Sequence, residues 1–227
     1  MTILPSQIAK LATSASKAGL SKYWYFLAAT SYASCNRPEA TASIFNYIKN
    51  STPETEWNDV LSKMKEAVMK GVALYGMPKA INALVELRKV TPPDLVQTKP
   101  LRDFYSPDLK ARGEKMYWQT YGQNGDFTRN LVSDAYPDLF LYGVHSVYVH
   151  LISFNRVLDP KETSFTVVSA LIPQDCNAQL YGHLQGCINN GATPDEVDSV
   201  RTMAITISDW CGIERREPVL QLGEKYF

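Results

Sequence analysis

Cys176, His183 and Cys187 fall at spacings of seven and four residues within "DCNAQLYGHLQGCINNGATPDEVDSV", residues 175–200. At roughly 100° per residue these spacings place all three within about 20° of one line on a helix, with Leu180 near the same stripe. A thiol close to a helix N-terminus loses its proton more readily, and an imidazole titrates near neutrality. Such a face could therefore supply a nucleophile and a general acid or base. It equally describes a buried seam, because cysteine is among the most buried residue types without doing chemistry. Cys187 reads as packing, and Cys176 fits either description. Along a straight helix two turns hold His183 roughly 10 Å from Cys176, too far for a Cys–His pair. Eleven residues hold Cys187 roughly 16 Å from Cys176, too far for a disulfide.

The elements that must carry these side chains are helical almost throughout. Trp57, Val60, Leu61, Met64, Val68, Val72 and Tyr75 recur at three and four, as do Val197, Val200, Met203, Ala204, Ile207 and Trp210. Val144, Val147, Tyr148, Leu151 and Ile152 repeat the pattern. "FTVVSALI" (165–172) is β-branched and lacks alternation, so it suits either a strand or a fully buried helix. Thr193, Pro194 and Glu196 spell a capping box with proline at the first helical position, and Gly191 is placed to end the preceding helix in a left-handed turn. Thr52, Pro53 and Glu54 repeat that opening.

The repetition has a register. Cys35-Asn36 recurs as Cys176-Asn177, and Thr52-Pro53 recurs as Thr193-Pro194 at the same offset. We read two related helical halves, residues 1–95 and 96–227, the second carrying the candidate site. His183 has Ala42 as its counterpart, so the first half lacks that chemistry. Between them, "VTPPDLVQTKPLRDFYSPDLKARG" (90–113) holds four prolines and reads as an extended surface connector. Val219, Leu220, Leu222, Tyr226 and Phe227 make the tail apolar enough to dock on its own body or on a neighbouring subunit.

Bulk properties exclude several classes. Lysine plus arginine equals aspartate plus glutamate at 23 each, which offers nucleic acid or an anionic membrane no electrostatic handle. No apolar run approaches the roughly 20 residues needed to cross a bilayer. Four scattered cysteines do not form a disulfide framework and fit a reducing compartment. Three histidines without ligand spacing suggest no metal and no cofactor. The start lacks a signal-peptide pattern. It is free of acids before Glu39 but also of arginine before Arg37, so the expected location is cytoplasmic, with mitochondrial import as the alternative.

"ARGEKMYWQTYG" (111–122), "YPDLFLYG" (136–143) and "HLQGCINNGATPDEVDSV" (183–200) resemble the carboxymuconolactone decarboxylase family, which includes the AhpD-like alkylhydroperoxidases. "YGMPKAINAL" (75–84) is similar to the family's helix-ending segment. The resemblance is good over 110–213 and thin over 20–90. It implies an all-α, AhpD-like helical fold that assembles into homo-trimers or hexamers, with a small pocket between helices and a cofactor-free reaction. In the peroxidase branch a CxxC opens a helix, a histidine follows, and a glutamate on the preceding helix completes a proton relay. Cys176 matches the first cysteine, His183 the histidine, and Glu162 the glutamate if the "IPQD" loop is allowed two extra residues. The second cysteine position is Gln179, so a sulfenic acid on Cys176 would have no resolving thiol beside it.

The resulting expectation is a decarboxylase-like lyase acting on a small carboxylated or carbonyl compound through His183, assisted by Glu162, with Cys176 lining the pocket. Arg112 could bind a substrate carboxylate or pair with an acid. The alternatives are a thiol peroxidase using Cys176 and a non-catalytic helical oligomer. His145, His150 and the aromatic run Tyr23–Phe26 read as structural.

Overall fold

The computed structural model describes residues 5–226, and among them every regular element is a helix. The first half holds α1 (Pro5–Lys17), α2 (Trp24–Ser34), α3 (Glu39–Lys49), α4 (Trp57–Lys70), the single turn α5 (Val72–Tyr75) and α6 (Met77–Val90). The second holds α7 (Leu109–Tyr121), α8 (Gly125–Ala135), α9 (Pro137–Tyr142), a π-helix (Gly143–Ile152), α10 (Pro160–Leu171), α11 (Asn177–Asn189) and α12 (Pro194–Trp210).

Two helices have no solvent face. All of α2 is buried, and so is α10 from Glu162 to Leu171. A helix apolar on every side belongs at the centre of a bundle, and these two lie against each other there. Hydroxyls between them are satisfied internally: Ser31 and Ser34 of α2 donate to the carbonyls of Ser169 and Ala170 at 2.9 and 2.8 Å. The "FTVVSALI" run is therefore the buried-helix reading, and the strand is not formed. α4 and α12 pack on this pair, and one apolar cluster runs across both halves. The second half carries the succession α10–α11–α12 where the first carries α2–α3–α4, each start a few residues short of the offset that relates Cys35 to Cys176.

Local signals act where they were expected. Thr193 and Glu196 form the reciprocal capping box, and Gly191 turns at φ 95°. The upstream echo is looser. Thr52 Oγ1 donates back to Ile48 O at 3.0 Å, and a 3-10 turn (Glu54–Glu56) intervenes before α4. The connector ends before residue 113, because α7 already begins at Leu109. Arg102 pins it by donating to Glu66 at 2.6 Å and lying over Phe154. The tail docks on its own body: Arg201 donates to the carbonyls of Leu220 and Val219, Asn177 to that of Pro218, and Val219 is buried.

The apolar period over 144–152 forms a π-helix rather than an α-helix. Its last carbonyls would be orphaned inside the protein. Lys70, fully buried, fills that role by donating to Leu151, Ile152 and Phe154 at 3.3, 2.7 and 2.8 Å. Burial pushes its ammonium down to about 7, while Glu66, 3.7 Å away, works to hold the charge. On the opposite side α7 approaches closely at Gly113, where a Cβ would come 2.5 Å from the Cα of Val149.

Candidate functional site

α7, the π-helix and α11 meet over a nest of four rings. Tyr117 and Tyr121, one turn apart on α7, face Tyr148 from the π-helix and His183 from α11. Tyr117 and Tyr148 are buried, Tyr121 and His183 half-buried. The Tyr121 hydroxyl lies 3.3 Å from His183 Nε2, and the Tyr148 hydroxyl interacts with that of Tyr121. Burial raises both phenols, so they keep their protons. Burial alone pushes the His183 imidazole down to about 4, so the ring is neutral at physiological pH. Where the Tyr121 O–H donates to Nε2, the neutral imidazole carries its hydrogen on Nδ1; where Nε2 carries it, the ring donates to Tyr121.

The other expected members lie elsewhere. Glu162 does not pair with His183. It is the third residue of α10, where Oε2 accepts from the backbone N–H of Asp159 at 3.0 Å, and Asp159 accepts from the Glu162 N–H in return. Its Oε1 accepts from Lys63 at 2.7 Å across the bundle. Burial opposes the Lys63 charge, but the Glu162 hydrogen bond and nearby acids outweigh it and raise that ammonium. Lys63 in turn lines a cleft of about 840 Å³ with Tyr25, Tyr47 and Asp59. Cys176 is the residue before the first turn of α11, and its thiol donates to Gln174 O at 3.3 Å. Cys187 is fully buried, and burial raises its thiol. Arg112 pairs with Asp108 at 3.5 Å and donates to Ser153 at 3.2 Å. His150 stacks on Phe104, while Trp24, Tyr25 and Phe26 are buried.

The structure thus brings His183 to tyrosines, not to a carboxylate or a thiol. Tyr121 and Tyr148 had not been singled out from the sequence. The i, i+4 aromatics Tyr117 and Tyr121 in "MYWQTYG" were the signal that could have found one side of the nest. Neither the Lys63 cleft nor the one lined by Arg112, Lys115 and Ser153 includes His183. Among the described residues, no group of three or more histidine, cysteine, aspartate or glutamate side chains is arranged to hold a metal ion, and no helix is long and apolar enough to cross a membrane.

The sequence pattern that defines the Carboxymuconolactone decarboxylase family matches residues 147–220, from within the π-helix through α12 into the tail. Glu162, Cys176 and His183 all fall inside that match. Peroxisomal protein 2 of Schizosaccharomyces pombe is 33% identical over 190 residues, which cover 84% of this chain and 87% of that protein. The chain belongs to the carboxymuconolactone decarboxylase family. Peroxisomal protein 2 of Saccharomyces cerevisiae is 27% identical over 264 residues, covering 89% of this chain and 93% of that one. Membership accounts for the helical architecture, and the match is to the half that holds the Tyr121–His183 contact on its α11 side. It does not by itself fix a reaction, since one fold hosts several chemistries.

Proposed function

We propose that the protein is a peroxisomal, cofactor-independent enzyme of the carboxymuconolactone decarboxylase family that polarises the carbonyl of a small carboxylated compound through neutral His183. One observation carries the reading: the 3.3 Å contact between Tyr121 and His183 Nε2, on a ring that burial keeps unprotonated. An imidazole at about 4 is a poor base near neutrality. It is a good hydrogen-bond donor where Tyr121 donates to Nε2, which leaves Nδ1–H to meet an oxygen. Loss of carbon dioxide from a β-keto acid, or from a vinylogous lactone acid, needs that and little more. The C–C bond to the carboxylate breaks, its electron pair moves onto the carbonyl oxygen, and the donor stabilises the enolate until water returns a proton. The reading departs from a His183–Glu162 acid–base pair, and gives Cys176 a place at the helix end without a chemical step.

The test is carbon dioxide release from a panel of small β-keto acids and unsaturated lactone carboxylates. His183→Gln lowers kcat/KM by about 10²–10³-fold, the usual cost of removing one oxyanion donor, and Tyr121→Phe lowers it by less. Circular dichroism stays unchanged in both. Between pH 5 and 8 the wild-type rate shows no inflection near 6.5. Turnover retained by His183→Gln refutes the role, and an inflection near 6.5 that vanishes in that variant reinstates an ordinary histidine base.

A peroxisomal location is supported by the names of both fungal relatives. The cytoplasmic and mitochondrial expectations draw no support from those names. A fluorescent fusion that coincides with a peroxisomal marker in yeast supports it, and diffuse or mitochondrial signal counts against it. The second reading is a non-catalytic helical homo-oligomer. It is favoured by the pairing of Glu162 with Lys63 rather than with His183, and it predicts no turnover on any member of the panel.

A further inference from the structure

After α6 the connector runs to α7 with one 3-10 turn (Pro93–Leu95) as its regular structure. Between it, α4 and α6 lies a cleft of about 420 Å³, inside the roughly 300–1,000 Å³ range of small-molecule sites. Met69 of α4, Leu84 of α6, and Leu101 and Phe104 of the connector give it apolar walls. Leu101 and Phe104 remain about half exposed although they line it. The connector wall is fixed in place. Arg102 donates to Glu66 at 2.6 Å and to His150 O at 3.3 Å, and Phe104 stacks on the His150 ring. Charge is unbalanced in the same cleft, where Lys65, Arg88 and Arg102 meet one acid, Glu66. That acid is already answered by Arg102 and by Lys70. Glu86, the acid of α6, pairs with Lys89. Half-buried Lys65 and exposed Arg88 are left, among the described residues, without a carboxylate partner.

We infer that this cleft binds a small amphiphile, its anionic head held by Lys65 and Arg88 and its apolar tail laid against Met69, Leu84 and Phe104. The guanidinium offers two parallel donors to a carboxylate or phosphate, and the ammonium adds a compact charge beside it. Both halves of the recognition are needed. Cations without apolar walls would take any bare anion, and apolar walls without cations would take a neutral molecule. The cost of holding two like charges in one cleft supports the assignment: burial first, and then Arg88, push the Lys65 ammonium down, and an anion seated between the two reverses that effect. The lining residues fall between 62 and 104, outside the family-matched residues 147–220, and none belongs to the Tyr121–His183 nest. The site is therefore additional to the one proposed for carbonyl chemistry.

The experiment titrates the full-length protein by calorimetry with octanoate, octyl phosphate, octanol and acetate. The expected result is one site per chain for an eight-carbon anion, the tighter of the two naming the head group. Octanol lacks the charge and acetate the tail, so each binds about 10-fold more weakly or worse. Lys65→Met and Arg88→Met each weaken the tighter anion by about 10-fold, the usual cost of one charge-assisted hydrogen bond. His183→Gln binds as the wild type does, which separates this outcome from the failure of the carbonyl-polarising role. In the wild-type chain the bound anion also slows acetylation of Lys65 by N-acetoxysuccinimide and leaves exposed Lys110 unchanged, so the site is readable where a variant folds poorly. No saturable binding of either anion, equal affinity for octanol, full affinity in Lys65→Met and Arg88→Met, loss of binding in His183→Gln, or an unprotected Lys65 overturns the assignment.

Discussion

Neutral His183 has a consequence for stability as well as for chemistry. Its imidazole sits at about 4 in the folded chain against 6.5 for an ordinary histidine. Between those values the unfolded chain holds a proton that the folded one refuses, so stability falls as pH drops from about 6.5 to about 4 and is level outside that window. His183→Gln removes that contribution, so its urea midpoint declines less than the wild type's between pH 7 and pH 5. Equal declines mean the ring titrates normally in the folded state. Glu162 shows how much of such detail was readable. "DPKE" at 159–162 has the same capping signature as "TPDE" at 193–196, so the sequence already stated that this carboxylate closes its own helix. Reading it as the partner of His183 put a remote proton relay ahead of a local rule. Lys63, its second partner, is remote in sequence, and no spacing rule reaches that far.

At the scale of the elements, caps and apolar stripes were legible because each is decided within a few residues of chain. The π-helix was not, since an i→i+5 ladder and an i→i+4 ladder draw on the same apolar residues. What sets it is tertiary: Lys70 from α4 collecting three carbonyls at its end. Lys70→Met keeps the bulk but strands those carbonyls and leaves Glu66 to Arg102 alone, a loss of about 3–5 kcal/mol by urea unfolding. An unchanged midpoint would mean that water serves the carbonyls equally well. Gly113 tests the other face of the same element. A Cβ there meets the Val149 backbone, which cannot swing aside as a side-chain tip would. Gly113→Ala should cost about 1–3 kcal/mol and loosen the Tyr121–Tyr148 approach, lowering turnover in proportion. A neutral substitution would show that α7 and the π-helix slide apart freely.

For the molecule as a whole, residues from both ends of the chain share one core, and α2 and α10 lie inside it together. The apolar surface points outward to a further level. Leu131 of α8, Leu139, Leu141 and Tyr142 of α9, and Tyr136 between them are each about half exposed or more, and α8 packs on α7. Singly exposed apolar residues need no explanation, but a run of this kind along consecutive short helices is the kind of surface a second copy covers. We expect a homo-oligomer in which α8 and α9 are covered and the neighbour walls in the His183 ring. Leu131→Glu with Leu139→Glu places charges where the neighbour must desolvate them, so light scattering should report the monomer mass while circular dichroism is unchanged. Turnover should fall with assembly. A wild-type chain that is monomeric at micromolar concentration removes the interface and, with it, the wall around the His183 ring.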